Sequence, residues 1–261
     1  MEILCHYTKN KNAINILRSM KLKFGKIINS NDPVEIKNIN FFYKGLSEVT
    51  SEIKKDIRNY LYDILHLIAF CKGNIEMNEE LIPEGALYEL YKRPAFYLPR
   101  MWATYGDNHK GVCFVFDKKK LISTVKKQLE KYFHFKHDSI KYNDFVCRKD
   151  PDSIIFSNGI DEKEIRENGL YNSIQSFINN NYSSYFIKDC DWKDEKEYRF
   201  ICWNKINHSV KKIEIEIEEA LIGIVLGINN NDNEIIKIAR SKGLNNIMKI
   251  EYDDFLNLTA K

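Results

Sequence analysis

This sequence has no C-x-x-C pair: its six cysteines, at positions 5, 71, 113, 147, 190 and 202, stand far apart. The spacing of the usual zinc sites is missing, and a disulfide framework is not expected. The thiols read as reduced and mostly buried, in a cytoplasmic protein that needs no metal. Also absent are G-x-G-x-x-G, the Walker loop, H-E-x-x-H and G-x-S-x-G. Dinucleotide dehydrogenases, P-loop enzymes, zincins and serine hydrolases therefore lose their usual support. Charge of one sign is lacking too, since 40 basic residues face 37 acidic ones for a net +3. That balance supplies no general field for nucleic acid and leaves room only for a local patch. The longest apolar stretch, near Leu61 to Cys71, is too short for a membrane span and is interrupted by Asp63 and His66. The opening MEILCHYT has no charged segment followed by an apolar run, so secretion is not expected and no membrane partner is foreseen. No repeat, low-complexity tract or Gly/Ser linker divides the chain.

What is present suffices for a core: 44% apolar residues, with 15 Phe and 15 Tyr. Ile3 to Tyr7 reads as a strand. Ala13, Ile16, Leu17 and Met20 recur at helical spacing and predict a helix from Asn10 to Met20. Leu22 to Ile27 follows as a strand, and Asn31-Asp32-Pro33 as a turn with Pro33 opening a helix. Val49, Ile53, Ile57, Leu61 and Ile64 share a helical face. Between Asn74 and Arg100 the prolines at 83, 94 and 99 suggest a loop-edged insertion. Gly111 to Phe116 reads as a central strand, and Asp117 as the cap of a helix over Lys118 to Tyr132. Strands are predicted at Ile140 to Val146, Glu197 to Trp203, Ile213 to Ile217, Ala220 to Leu226 and Asn246 to Tyr252. Helices are predicted across Ile160 to Ile187 and Asn233 to Lys242. The pattern is one α+β domain over residues 1–261, with a helical and loop insertion at about 45–100.

Four ordered segments carry groups able to do chemistry: Cys5-His6-Tyr7-Thr8, Asn31-Asp32-Pro33, Met101-Trp102 with Tyr105 and His109-Lys110-Gly111, and Trp192 with Glu195 to Arg199. Glu195, Glu197 and Arg199 are two residues apart, so an extended strand points them to one face and Tyr198 to the other. Adjacent carboxylates resist ionising together, which raises one pKa unless Arg199 offsets the repulsion. Such a pair stabilises developing positive charge or holds a ribose hydroxyl; the alternative is a solvated strand face with one ordinary ion pair. His6 is placed to donate to a ribose hydroxyl while Tyr7 packs a base, or else is a hydrogen-bonded structural histidine. Trp102 and Tyr105 are stacking candidates or core, with Gly106 and Gly111 allowing close backbone approach. Asn31 and Asp32 are binding candidates or simply a turn. Arg93 and Arg100 sit in a Pro-rich loop within reach of a phosphate, and Lys131 to Lys141 weakly resembles a nucleic-acid patch.

Taken in order, these segments resemble the bacterial domain of unknown function family 2971, often found among phage-defence genes. The matching residues are His6-Tyr7-Thr8, Lys21-Leu22-Lys23-Phe24, Asn31-Asp32-Pro33 with Glu35, Met101 through Asp117, Trp192 to Arg199, and Ile224-Val225-Leu226-Gly227. The layout is similar, more distantly, to the ADP-ribosyltransferase superfamily. That resemblance implies a split, mostly antiparallel sheet with flanking helices and NAD in its cleft. By it, His6 holds the adenosine-side ribose, one of Tyr7, Trp102 and Tyr105 stacks nicotinamide, and Glu197 is the catalytic carboxylate. Glu195 orients the acceptor, and Thr8, Asn31, Asp32 and Arg199 complete the NAD site; Arg18, Arg93 and Arg100 are candidates for the pyrophosphate. The implied activity is that of an NAD-dependent ADP-ribosyltransferase, a defence or toxin effector acting on RNA, DNA or protein and partnered by an antitoxin or another defence component. The alternatives are a nucleotide-binding NAD hydrolase or sensor, and a non-catalytic interaction module.

Overall fold

The computed structural model describes residues 1–32, 43–44, 51–74, 94–143, 160–205, 210, 212–252 and 258–260. The chain runs through β1 (Glu2–Thr8), α1 (Asn10–Ser19), β2 (Lys21–Lys26), β3 (Tyr43–Lys44), α2 (Ser51–Ile64) and β4 (His66–Asn74). It continues with α3 (Pro99–Thr104), β5 (Val112–Asp117), α4 (Lys118–Leu129), β6 (Phe133–Ser139), β7 (Lys141–Asn143) and β8 (Ile160–Asp161). Then come α5 (Glu162–Asn181), β9 (Ile187–Asp189), β10 (Glu197–Asn204), β11 (Ile213–Glu216), β12 (Leu221–Leu226), α6 (Asn233–Ser241), β13 (Ile247–Tyr252) and β14 (Leu258–Ala260). This is an α+β architecture around a large sheet ordered β11-β2-β4-β1-β5-β12-β13-β14, with β10 and then β6 branching from β4. All its pairs are antiparallel except β12 with β13.

The branch at β4 determines where a ligand can enter. One edge of β4 pairs continuously with β10, from Cys71 opposite Glu197 to His66 opposite Cys202. Its other edge is shared by two strands: β1 ends its pairing at Cys71, and β2 pairs only at Leu67 and His66. Between them, residues 68–70 of β4 have no partner strand on this edge among the described residues, and the sheet opens.

Alternation on β10 explains the layering. Tyr198, Phe200 and Cys202 face a core built with Ala13 and Leu17 of α1, Leu121 and Val125 of α4, and Ile235 and Ala239 of α6. Ile201 and Trp203 face the other way, against Ile57 and Leu61 of α2 and Ile174 and Phe177 of α5. Every residue of β10 is buried, so each apolar side chain there contributes about 1.5–3 kcal/mol. Asp117 caps α4, accepting from the Lys120 amide at 2.9 Å. At the start of β5, a Cβ on Gly111 would lie 2.2 Å from the Thr8 carbonyl oxygen, so only glycine allows this approach of β5 to β1.

Three sequence expectations change. His66–Asn74 falls within the stretch at about 45–100 read as a helical and loop insertion, but it is the strand at which the sheet branches. Phe133–Ser139 is a strand beside β10, where α4 had been extended to Tyr132. The helix across Ile160 to Ile187 is broken at Gly169 and gives way to a 3-10 turn at Tyr182–Phe186. The helix opened by Pro33, the early part of the insertion and the Asp144–Val146 end of the predicted strand lie outside the described residues.

Candidate functional site

The gap in the sheet is a cavity of about 270 Å³. Its walls include His6 and Tyr7 of β1, Lys23 and Gly25 of β2, Leu67 to Cys71 of β4, Asn31, Tyr105, and Lys188, Glu195, Glu197 and Arg199. The Lys72 amide donates to the Lys196 carbonyl, on the β10 side, and the Ile27 amide donates to the Leu65 carbonyl, on the β2 side. Main-chain groups of even residues on β4 therefore point to β10, and those of odd residues point to β1 and β2. By the same alternation, the main-chain polar groups of Ala69, Tyr7 and Lys23 face the gap, and no strand among the described residues lies across from them.

One of these groups is used by His6. Its Nδ1 lies 3.1 Å from the Ala69 carbonyl. A carbonyl only accepts, so Nδ1 carries the proton and, in the neutral ring, Nε2 is left as an acceptor. Burial lowers the imidazole pKa, more than the Ala69 hydrogen bond restores it. His6 is therefore set to accept from a ligand hydroxyl with Nε2, rather than to donate as the sequence suggested.

Cross-strand partners share a face. Glu197 opposes Cys71, which opposes Cys5, and Arg199 opposes Ala69, so Glu197 and Arg199 lie on the Tyr7 face. His6 lies on the opposite face, its ring 5.6 Å from that of Phe70. One cavity reaches both because it passes through the gap. Glu195 is not on the strand. It ends the 3-10 turn Cys190–Glu195, and Lys196, in the left-handed conformation at φ 47°, lets both carboxylates turn inward.

The carboxylates form a closed ion network. Arg199 grips Glu197 with two bonds, Nε to Oε1 at 2.6 Å and Nη2 to Oε2 at 3.0 Å, and donates through Nη1 to the Tyr185 carbonyl at 2.8 Å. Lys188 of β9 donates to Glu195 at 2.7 Å and to Glu197 at 3.3 Å, its ammonium 4.5 Å from the Trp192 ring centre. The Tyr105 hydroxyl donates to Glu195 at 2.5 Å, and the Tyr142 hydroxyl accepts from the Glu197 amide at 2.8 Å. All four charged groups are at most 5% exposed. Burial by itself pushes the Glu197 carboxyl up, but the charge and hydrogen bonds of Arg199 and then Lys188 hold it below its ordinary value. For Tyr105, burial and then the bond to Glu195 raise the phenol, which stays a donor. A carboxylate offers about four lone-pair sites. Glu197 has three filled and Glu195 two, so Glu195 keeps the larger free capacity for a ligand.

The other anticipated residues are placed as follows. Asn31 lines the cavity and hydrogen-bonds Tyr105. Trp102 does not reach the cavity: it is 1% exposed, 4.9 Å from the Tyr7 ring, and its Nε1 donates to the Phe96 carbonyl at 2.8 Å. It is core, so of the stacking candidates Tyr7 and Tyr105 line the wall. Thr8 and Asp32 are buried away from the cavity lining. Arg18 and Arg100 are exposed, paired with Glu234 and Asp194, and Arg93 lies outside the described residues. Lys188 and Tyr142 went unnoticed in the sequence. The only signal for Lys188 is a lone lysine at the end of the apolar run Tyr185-Phe186-Ile187.

These features define an α+β protein whose polar cavity is opened by a divided sheet. Residues 101–200 match the family model described as Protein of unknown function (DUF2971). That stretch contains both the Trp102–Gly111 segment and the Trp192–Arg199 segment. No curated protein matches the chain, and no solved structure does. No helix among the described residues is long and apolar enough to cross a membrane, and no group of three or more His, Cys, Asp or Glu among them is placed to hold a metal ion.

Two stability measurements test the electrostatics. Arg199→Met leaves Glu197 short of its main partner and should cost about 3–5 kcal/mol in urea unfolding. The double variant Arg199→Met/Glu197→Gln should cost less than the sum of the single variants, and strict additivity would contradict the network. A histidine with a lowered folded pKa binds fewer protons folded than unfolded, so its stabilisation is lost as the pH falls below about 6.5. Wild type should therefore lose more stability than His6→Gln between neutral and mildly acidic pH, and equal losses would refute the neutral ring.

Proposed function

We propose that the cavity takes NAD and that the protein is an NAD-consuming ADP-ribosyltransferase serving in bacterial defence. The observation that carries this reading is convergence: His6, from the first strand, and Glu195, Glu197 and Arg199, from the fourth motif, line one cavity together with Tyr7 and Tyr105. The main-chain groups that face the gap suit a carboxamide, which presents one donor and one acceptor edge, as nicotinamide does.

In this reading the bond between nicotinamide and ribose C1′ breaks, nicotinamide leaves with the electron pair, and positive charge develops on the ribose. Glu197, held in its ionised form by Arg199 and Lys188, lies beside that charge and stabilises it most in the transition state. Glu195, with its free lone pairs, accepts a hydrogen bond from the ribose or the acceptor and takes up the proton that the acceptor loses on attack, and Nε2 of His6 accepts from the other ribose. The acceptor nucleophile then attacks C1′ and gives up its proton. RNA, DNA or protein serves as acceptor, and an antitoxin or defence-system partner would restrain the activity. A second reading, a nucleotide sensor or a non-catalytic module, is favoured by one feature: the charges of the network are satisfied by one another before any ligand binds.

Purified protein incubated with adenylate-labelled NAD and cell extract should release nicotinamide and label a macromolecule. Glu197→Gln should lower both about 100-fold or more. Nicotinamide without labelled acceptor would make the protein a hydrolase. No release, and no thermal stabilisation by NAD, would leave the module.

A further inference from the structure

We propose that the face formed by α4 and β6 binds single-stranded nucleic acid. Residues 118–137 hold seven lysines against one glutamate, in a chain whose formal net charge is only +3, so the remainder is acidic on balance. Lys118 is tied to Glu2. Lys119, Lys120, Lys126, Lys127, Lys131 and Lys136 are all exposed, and none has a carboxylate partner among the described residues. Such a concentration of unpaired cations attracts a polyanion and gains from the counterions it releases.

Flat rings lie among the cations. Tyr132 is 55% exposed with the Lys131 ammonium 5.0 Å from its ring centre. Phe133, His134 and Phe135 are half-buried along β6, Phe135 stacked on Phe200 and His134 on Trp203. Their uncovered parts line an open groove with Lys126, Glu130, Lys136 and Lys205, so Tyr132 is the ring most open to a base. Among the described residues β6 pairs only with β10. Lysines that follow a phosphate backbone, interleaved with rings on which bases stack, are the physical requirements of single-strand binding. A duplex keeps its base faces covered and would leave these rings unused. A bilayer is disfavoured as well, because Leu121, Val125 and Leu129 of α4 are turned into the core and offer no apolar face for insertion.

Position adds a consequence. Asp138 of β6 opposes Arg199, and two residues further on the amide of Ile140 donates to the Glu197 carbonyl at 2.9 Å. A strand lying along β6 therefore runs toward the cavity, and single-stranded nucleic acid becomes the acceptor class if the cavity transfers ADP-ribose. The binding itself does not rest on that activity and is measured without NAD.

Fluorescence anisotropy with labelled mixed-sequence RNA and DNA oligonucleotides, over a range of sodium chloride, tests this surface. Both single strands should bind more tightly than the matching duplex, with affinity falling linearly in log salt; a preference between RNA and DNA would identify which one the face selects. Lys126→Glu/Lys127→Glu and Lys131→Glu/Lys136→Glu should each weaken binding about tenfold or more and flatten the salt slope. Tyr132→Ala should weaken it without changing the slope, and Lys237→Glu, on exposed α6, should leave it intact. The proposal is overturned if the reversed variants, folded by circular dichroism, bind as wild type. Duplex binding equal to single-strand binding overturns it too, as does binding to anionic lipid vesicles but not to oligonucleotides.

Discussion

Arg199 is the constraint around which the site is arranged. Its guanidinium sits 3% exposed on a strand buried on both faces, and it satisfies both oxygens of Glu197 and the Tyr185 carbonyl. Removing two charges from water costs several kcal/mol per ion, and their attraction rarely returns more than that. Apolar residues at these positions would serve stability as well or better. The cluster is therefore better understood as holding carboxylates in a set geometry and protonation state, with stability supplied by the aromatic layers above and below β10.

The second constraint is the divided edge of β4. A regular sheet would have satisfied Ala69, Tyr7 and Lys23 by continuing β1 or β2 alongside residues 68–70. Instead the two strands diverge, and His6 crosses the gap to take a single carbonyl. Open main-chain groups in a cavity are costly unless something occupies them. The gap and the ion network adjoin because β10 and the β1–β2 pair lie on opposite edges of the same strand.

Much of this was readable where burial is one-sided or a local signal is strong. Helices α1 and α6 follow the spacing of their apolar residues, Asp117 caps α4 as its chemistry predicts, and β10 shows the alternation that separates Glu197 and Arg199 from Tyr198. The strand β4 was not readable, because it follows the apolar helical face that ends at Ile64 without Gly, Pro or Asn between them, and its place is set by pairing on both edges. In β6, His134 and Lys136 alternate with Phe133 and Phe135, so a half-buried strand read as a weak nucleic-acid patch. Lys188 and Tyr142 escaped notice because their roles come from long-range packing. Trp102, open between stacking and core in the sequence, is core, packed so closely on Gly106 that a Cβ there would lie 2.6 Å from its ring. Glu195 was assigned to a strand because the left-handed turn at Lys196 leaves no mark in the residue pattern.

The central claim is that the opening beside Ala69 is a binding site continuous with the network of Arg199. A crystal structure of the protein with NAD tests it most directly. The ligand should lie between β1 and β2, hydrogen-bonded to main-chain groups of Tyr7 or Ala69 and within reach of Nε2 of His6 and the Glu195 carboxylate. A structure in which β1 or β2 closes along residues 68–70, or in which the ligand binds elsewhere, would contradict it.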